Sequence, residues 1–324
     1  MRFLITGGAG FIGSHLAERL VARGERVTVL DNLSTGSLEN IAHLVDTGAV
    51  DFHFGSIQKR DTVERLIGES DFVVHFAAAL GVKLILEKPV ESMETNVTGT
   101  HVVLEAAARN RTPVLIASTS EVYGKSNKIP FCEDDDIVLG PTRKSRWSYA
   151  ASKMLDECLA LSYWEEKNLP TIVVRFFNTV GPRQNARYGM VLPTFIQQAL
   201  EDAPITIHGD GKQSRCFCDV RDTVEAVTKL IDAQAFGEVV NIGSTQEVSI
   251  EDLAMLVRER VGSHSRILYT SYDQAYGRGY EDMQRRVPSV EKLHRLTGFR
   301  PRTTLSEIID RSAAHLRSAM AEVI

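Results

Sequence analysis

The sequence is short of cysteine, of basic charge and of long apolar runs. Four cysteines occur among its 324 residues, and the one close pair, Cys216 and Cys218, is spaced C-x-C without a second pair or a histidine at ligand spacing. Structural zinc sites use two such pairs, or one pair together with histidines. The spacing argues against a metal site, and reduced structural thiols are expected.

Positive charge is not in excess, since 37 Lys and Arg stand against 42 Asp and Glu for a net charge of −5. This balance argues against the basic surface of a nucleic-acid-binding protein, so no nucleic acid is expected as a partner. The apolar runs are short and broken by Gly, Lys or His, and the N-terminus lacks the order of a signal peptide. We therefore expect no membrane association and a cytoplasmic location.

The sequence does have a hydrophobic fraction of 43%, which is enough for a sizeable core in one large domain or in two closely packed domains. In the first half, short apolar runs alternate with helical patterns; the runs are "RFLIT", "RVTVL", "VDFHF", "DFVVHF", "PVLIAS" and "TIVVRF". Runs that are apolar throughout predict a parallel sheet covered by helices on both faces. Two of the helices are predicted to be long, at roughly 90–110 and 148–167.

The pattern changes after "FFNTVGPR", residues 176–183. An irregular stretch rich in Gly, Pro and Arg leads to a helix near 223–233 and a strand, "GEVVNIG". Helical patterns dominate from about 250 onward, with "SRILYT" as a possible strand. The second half of the sequence therefore predicts a smaller, mostly helical lobe. Its segments interrupt the first lobe in the sequence and then follow it, and the two lobes are expected to share a cleft.

A glycine-rich motif, "TGGAGFIG", follows the first strand and opens the first helix. Gly7 permits a tight turn, Gly10 lets the backbone approach a pyrophosphate, and Gly13 allows close helix packing. Asp31 ends the second strand, where a carboxylate accepts from ribose hydroxyls, and no nearby arginine would neutralise a 2′-phosphate. The motif predicts NAD rather than NADP; the alternative is a glycine turn in a flavodoxin-like fold without a dinucleotide.

The motif "SYAASK" places Tyr149 and Lys153 four residues apart, on one face of a helix. An ammonium near a phenol favours the phenolate and lowers its pKa from roughly 10 toward neutrality. Such a tyrosine could act as general base on a sugar hydroxyl. The same spacing also occurs by chance on exposed helices, so the pair alone decides nothing.

Taken together, "TGGAGFIG", Asp31, "STSEVYG" and "YAASK" resemble the extended short-chain dehydrogenase/reductase family of nucleotide-sugar epimerases, dehydratases and decarboxylases. The resemblance extends along the chain through "NVTGT", "RFFNTVGPR", "GDGKQSRCFCDVRD" and "NIG". It implies a Rossmann-type doubly wound parallel α/β sheet and a smaller, mostly helical substrate-binding lobe. The implied NAD-binding domain covers 1–178 and 222–245, and the implied nucleotide-sugar lobe covers 179–221 and 246–324.

The resemblance also implies roles for individual residues and a homodimer formed through the two long helices. Substrate positions are Asn178, Arg215 and Arg286. Cofactor positions are Gly7, Gly10, Phe11, Ile12, Gly13, Asp31, Asn32, Ser56, Ile57, Ala77, Tyr149 and Lys153. Here the chain departs from the family in one place, because Ser56-Ile57 stands where Asp-Ile or Asp-Leu often holds the adenine.

The residues after the fifth strand, Thr119-Ser120-Glu121, bear on the reaction. By resemblance Thr119 hydrogen-bonds the sugar O4, and Tyr149 is the base. Dehydratases carry Thr-Asp-Glu here, and epimerases carry small neutral residues. "TSEVYG", together with "GYEDMQRRVPS" around Arg286, instead resembles UDP-glucuronate decarboxylases, and implies that Glu121 and Arg286 serve the sugar carboxylate.

Alternatives remain open. The loop "AAALGVK" after the fourth strand is similar to epimerases, so a UDP-sugar C4 epimerase is the second reading and a 4,6-dehydratase the third. Glu121 could instead accept backbone N–H bonds, and Arg286 could pair with Asp282. A non-catalytic member of the family would have lost Thr119, Tyr149 or Lys153, and all three are present.

Overall fold

The fold is that of a computed structural model, which describes residues 1–79, 81, 88–144, 146–185, 190–276 and 282–321. Fourteen strands occur in this part of the chain. They are β1 (Arg2–Thr6), β2 (Arg26–Asp31), β3 (Val50–Phe54), β4 (Phe72–His75), β5 (Val114–Thr119), β6 (Thr171–Phe176), β7 (Thr179–Val180), β8 (Ile205–His208), β9 (Ser214–Cys216), β10 (Cys218–Asp219), β11 (Glu238–Ile242), β12 (Glu247–Ser249), β13 (Ile267–Thr270) and β14 (Arg285–Arg286).

The α-helices of the described residues follow the same order. They are α1 (Phe11–Ala22), α2 (Ala42–Val45), α3 (Arg60–Gly68), α4 (Pro89–Met93), α5 (Gly99–Asn110), α6 (Arg146–Lys167), α7 (Val191–Leu200), α8 (Val220–Asp232), α9 (Ile250–Val261), α10 (Tyr272–Tyr276), α11 (Glu291–Thr297) and α12 (Leu305–Ala321). A π-helical turn, Glu94–Thr98, joins α4 to α5, so the long helix predicted at 90–110 is continuous but wider at one turn.

Seven parallel strands form the main sheet in the order β11-β6-β5-β4-β1-β2-β3. The strand order reverses direction between β1 and β4, as in doubly wound folds. One face packs against α1, α8 and α11, and the other against α3, α5 and α6. The central strands are buried on both sides, which explains why their sequences are apolar throughout. The predicted Rossmann-type fold is confirmed.

A second hydrophobic core lies among α7, α9 and α12 with the short parallel pair β8–β13. It forms the smaller, mostly helical part predicted from the second half of the sequence. The strand β11 returns from this half of the chain to pair with β6 at the edge of the main sheet. The two parts are thus interleaved in sequence, and β14 pairs with β9 close to the main sheet's carboxyl end.

A buried ion pair attaches α6 to the sheet. Arg175 of β6 donates from Nε to Glu157 Oε1 at 2.9 Å and from Nη2 to Oε2 at 2.7 Å, and both side chains are 5% exposed. Burial opposes the charge on Arg175, but the hydrogen bond and charge of Glu157 outweigh it and raise the arginine pKa. The Ser118 hydroxyl of β5 donates to the same carboxylate.

We predict that Glu157→Gln lowers the free energy of unfolding by about 3 kcal/mol, because it leaves a buried guanidinium without its counter-ion. Urea denaturation followed by circular dichroism measures the change. The matched control is Glu165→Gln, an exposed position on the same helix, for which a change within about 0.5 kcal/mol is expected. Equal stabilities of the two variants would show that the pair does not hold α6 in place.

Candidate active site

The residues singled out from the sequence follow the carboxyl ends of the parallel strands. Gly7 follows β1, Asp31 ends β2, Ala77 follows β4, Thr119 ends β5 and Asn178 follows β6. All of these strand ends lie on the same side of the sheet, its carboxyl end, because the strands are parallel. Ligands of open α/β sheets bind at this carboxyl end, near the point where the strand order reverses.

The glycine loop leaves no room for a side chain at Gly7 or at Gly13. Gly7 has a φ of +74°, and a Cβ placed on it would lie 2.6 Å from the Ala77 nitrogen. A Cβ on Gly13 would lie 2.3 Å from the Gly7 carbonyl oxygen. These two glycines therefore allow the loop to pack closely against the residues after β4 and against the first turn of α1. The first turn of α1 has neither a side-chain cap nor an acidic residue, so its N–H groups suit an anion such as a pyrophosphate.

Asp31 is held beside this loop. Its carboxylate accepts from the Ala9 N–H at 3.0 Å and from the Leu33 N–H at 2.8 Å, and the side chain is 8% exposed. Burial raises its pKa, against the opposing effect of the backbone N–H groups. A carboxylate has about four acceptor sites, so Asp31 can still accept a hydrogen bond from a ribose hydroxyl. The next residue, Asn32, is exposed and its Oδ1 accepts from the Ser34 N–H at 3.1 Å.

The remaining cofactor candidates belong to the same group of loops. Ser56 Oγ accepts from the Gln58 N–H at 3.2 Å, so this hydroxyl closes a turn after β3. Ile57 is 4% exposed and packs against Gly99, where an added Cβ would lie 2.3 Å from its Cδ1. Phe11 and Ile12 are partly buried in the first turn of α1. The glycine loop, the first turn of α1 and Asp31 together suit the binding of a dinucleotide.

Helix α6 carries Tyr149 and Lys153, and it packs against β5 and β6. Tyr149 is partly buried, and its carbonyl accepts from Ser152 Oγ at 2.8 Å. Lys153 is 2% exposed and donates from Nζ to Asp156 Oδ2 at 2.8 Å. Sequence reasoning missed Asp156, although its position three residues after Lys153 places it on the same helix face.

Asn96, in the π-helical turn, ties α6 to the loop after β4. Its Oδ1 accepts from the Ala79 N–H at 2.8 Å, and its Nδ2 donates to the Ala79 carbonyl and to Ser152 Oγ, each at 3.2 Å. The asparagine thereby fixes the first half of the loop that contains Ala77. The second half, with Val82 and Lys83 of the epimerase-like "LGVK" stretch, lies outside the described residues.

The stretch Thr119-Ser120-Glu121 turns away from the sheet in a short 3₁₀ helix, Ser120–Tyr123. Thr119 Oγ1 accepts from the Glu121 N–H at 3.3 Å, which leaves the hydroxyl proton available for a ligand. Ser120 is 1% exposed and points into the fold, whereas Thr119 and Glu121 are partly buried. Thr119 and Glu121 are therefore the members of the stretch that a substrate could reach.

Four charged side chains form a row beside this turn, and we call them the arginine–acid row: Arg215, Asp282, Arg286 and Glu121. Arg215 Nη2 donates to Asp282 Oδ2 at 2.8 Å. Arg286 donates at 3.4 Å to Asp282 Oδ1 and at 3.4 Å to Glu121 Oε1. The structure thus brings Glu121 and Arg286 together across 165 residues of sequence. It also makes the Asp282 contact considered as the alternative.

Arg286 Nε is buried and has no hydrogen-bond partner among the described residues, and the whole arginine is 8% exposed. The long 3.4 Å contacts and the unpaired nitrogen leave its donors available to a stronger acceptor. Asn178, also a substrate candidate, has a φ of +37° and donates from Nδ2 to the Cys216 carbonyl at 2.9 Å, so its amide group fastens β9.

All four cysteines are free thiols, and burial raises the pKa of Cys216 and of Cys218 to about 12. Within the described ranges, no group of three or more His, Cys, Asp or Glu side chains is arranged to hold a metal ion. No helix in those ranges has both the length and the apolar character that crossing a bilayer requires.

Comparison with known proteins adds specific relatives. The chain is 44% identical over 301 residues to UDP-N-acetyl-alpha-D-glucosaminuronate decarboxylase of Bacillus cytotoxicus, an alignment that covers 93% of this chain and 92% of the relative. It is 35% identical to UDP-glucuronic acid decarboxylase 1 of Xenopus tropicalis, over 98% of this chain and 73% of the relative.

The fold is also similar to that of a solved epimerase. The crystal structure of UDP-glucuronic acid 4-epimerase from Bacillus cereus, in complex with UDP-glucuronic acid and NAD, matches with a TM-score of 0.89 and 26% identity. The match covers 98% of this chain and 100% of that one. The family model described as GDP-mannose 4,6 dehydratase matches residues 4–312. The chain therefore belongs to the GDP-mannose 4,6-dehydratase family, within the extended short-chain dehydrogenases/reductases.

Proposed function

We propose that this chain is an NAD-dependent decarboxylase of a UDP-linked hexuronic acid, with UDP-glucuronate as the expected substrate and a UDP-pentose or UDP-4-keto-pentose as the product. The observation that carries the proposal is the contact between Arg286 and Glu121 beside Thr119, because it offers a cation and a proton carrier where a sugar carboxylate would react. The decarboxylase relatives at 44% and 35% identity support it.

The first task of the chain is to remove a proton from the sugar O4. Thr119, whose oxygen already accepts from a backbone N–H, donates its own proton to O4 and orients it. Tyr149 takes the O4 proton as general base, and Lys153 stabilises the phenolate. NAD, when bound, supplies the hydride acceptor that converts the C4 hydroxyl to a ketone.

The second task is to place the carboxylate. A 4-keto hexuronate is a β-keto acid, so the C5–C6 bond breaks with its electrons moving into the C4 carbonyl as carbon dioxide leaves. Arg286 holds the carboxylate through charge-assisted bonds before this step. Glu121 then delivers a proton to C5, which gives the UDP-4-keto-pentose. A UDP-pentose would form only if the hydride removed from C4 returned to it. The remaining arginine of the row, Arg215, is a candidate for the diphosphate.

A C4 epimerase is the second candidate, favoured by the similarity to the Bacillus cereus epimerase structure. Epimerisation requires rotation of the keto sugar but no protonation of C5. Glu121 would therefore have no role in that reaction. A 4,6-dehydratase is disfavoured because its usual aspartate is replaced by Ser120, which is buried. Ser120 lacks the acidity needed to expel the C6 hydroxyl.

Assembly, domain roles and location are part of the same proposal. We assign NAD binding to 1–178 and 222–245 and sugar binding to 179–221 and 246–324, in a cytoplasmic homodimer. The dimer would form through the two long helices, 89–110 and 146–167. Four exposed apolar side chains on these helices support that surface: Val90 at 69%, Met93 at 42%, Leu155 at 42% and Trp164 at 37% exposure.

We predict that the purified protein releases carbon dioxide from a UDP-hexuronate and leaves UDP-glucose unchanged. UDP-glucuronate and UDP-N-acetylglucosaminuronate are incubated separately, since the relatives named above differ in this substituent, and products are identified by mass and sugar stereochemistry. Tyr149→Phe should reduce the rate by ~10²–10⁴-fold. Tyr163→Phe, elsewhere on α6, is the matched control and should retain activity. Interconversion of UDP-glucose and UDP-galactose, with both uronates intact, would establish the epimerase instead.

We also predict that Glu121→Gln and Arg286→Lys each reduce carbon dioxide release by ~10²-fold or more, because one removes the proton carrier and the other the bidentate donor. Melting temperature and NAD binding should change little. Arg285→Lys and Glu247→Gln are matched controls, since Arg285 and Glu247 form a neighbouring exposed pair at 2.7 Å. If the Glu121 and Arg286 variants lose stability but retain decarboxylation, the row serves the fold.

A further inference from the structure

The proposed chemistry uses Lys153 but gives no task to the carboxylate bound to it. Asp156 is 0% exposed and Lys153 is 2% exposed, and their 2.8 Å contact spans one turn of α6. Removing two charges from water is costly, so a pair this buried is expected to be well compensated or to be kept for its role in the site. Asp156 is poorly compensated, because its Oδ1 has no hydrogen-bond partner among the described residues.

The pair is the end of a buried polar chain that starts at the glycine loop. Thr6 Oγ1 lies 2.7 Å from His75 Nδ1, and His75 Nε2 lies 3.1 Å from Thr100 Oγ1. Burial raises the pKa of the Asp156 carboxyl; Lys153 opposes this rise most, and the Thr100 hydroxyl opposes it to a smaller extent through a hydrogen-bonding interaction. The chain of polar groups therefore links β1, β4, α5 and α6, and it ends at Lys153.

The charged groups around Asp156 are few. Burial, with a smaller contribution from Lys153, lowers the pKa of His75 to about 3, so the imidazole is neutral and is no second cation. Glu157, the next residue on α6, is neutralised by Arg175 from β6. Thr100 supplies no charge from α5. Among the residues that the structure describes, the ammonium of Lys153 thus has one close anionic partner, Asp156.

We propose that Asp156 is a positioning residue for the chemistry proposed above: it holds the Lys153 ammonium in place and sets the electric field that this ammonium exerts on Tyr149. The inference rests on the proposed role of Tyr149 as base. Without a carboxylate partner, the buried Lys153 ammonium would favour the phenolate of Tyr149 more strongly and would also lose its own proton more readily. The Asp156 carboxylate weakens the effect of the ammonium on the phenol and keeps the ammonium protonated.

The sign of the effect follows from the charge. Replacing Asp156 by a neutral residue removes a negative charge, which makes deprotonation easier for every nearby group. Proton loss from the Tyr149 phenol and from the Lys153 ammonium should both become easier in the variant. Since activity requires the tyrosine deprotonated and the lysine protonated, the acidic and the alkaline limbs of the pH profile should both move to lower pH, by about one unit at the effective dielectric of partly buried sites.

The experiment compares wild type with Asp156→Asn and Asp156→Ser in the holoenzyme, recording kcat/KM for carbon dioxide release against pH. A second readout needs neither cofactor nor turnover: carbon-13 NMR of ζ-carbon-labelled tyrosine gives the Tyr149 titration, with the signal assigned by its absence from Tyr149→Phe. Both readouts should move to lower pH. Asp156→Glu, which restores the charge, should return them toward wild type.

The matched control is Asp219→Asn. Asp219 is also 0% exposed and ion-paired, to Arg311, but it caps α8. This variant should lose stability without moving either limb. Unchanged limbs and an unchanged Tyr149 titration in folded Asp156→Asn or Asp156→Ser would overturn the inference alone. Near-normal turnover by Tyr149→Phe would instead overturn the role of Tyr149 on which it rests.

Discussion

The bidentate ion pair between Arg175 and Glu157 is the contact on which the geometry of the site depends. It fixes α6 against β6, and the Ser118 hydroxyl joins the same carboxylate one residue before Thr119. The helix that carries Tyr149 and Lys153 is therefore held in a fixed position relative to the end of β5, where Thr119 lies. Catalytic groups tolerate little displacement, since about 1 Å of misplacement can cost ~10²-fold in rate. A rigid buried pair meets that demand better than apolar packing alone, because its geometry is directional.

Charge is distributed differently at the two ends of the proposed site. At the nucleotide end, the backbone N–H groups of the glycine loop and α1 offer positive character without a cationic side chain, and Asp31 offers a carboxylate. At the sugar end, two arginines alternate with two acids in the arginine–acid row. A neutral hexose would leave that row internally balanced. An incoming carboxylate could compete with Asp282 for Arg286, whose contacts are long and whose Nε is unpaired.

A feature of this structure could be predicted from the sequence when the residues that form it are close together in the chain. The strands, the glycine loop, Asp31 and the turn after β5 could be predicted because each is written in consecutive residues with a known physical reason for their spacing. The Asp156–Thr100–His75 chain could not, since it joins residues from α6, α5 and β4 whose proximity arises only from packing. Asp282 likewise meets Arg215 across 67 residues. The sequence suggests Asp282 as a partner of Arg286, four residues on, but not as a partner of Arg215.

Whether this arrangement performs C4 oxidation, decarboxylation and C5 protonation in one site is most directly decided by conversion of UDP-glucuronate in deuterium oxide. Breaking the C5–C6 bond leaves an enolate that must take a proton from a group in exchange with solvent. The product should therefore be lighter by carbon dioxide and carry one deuterium at C5, with none at C4. A product of unchanged mass, inverted at C4 and free of deuterium, would contradict decarboxylation and identify the reaction as epimerisation.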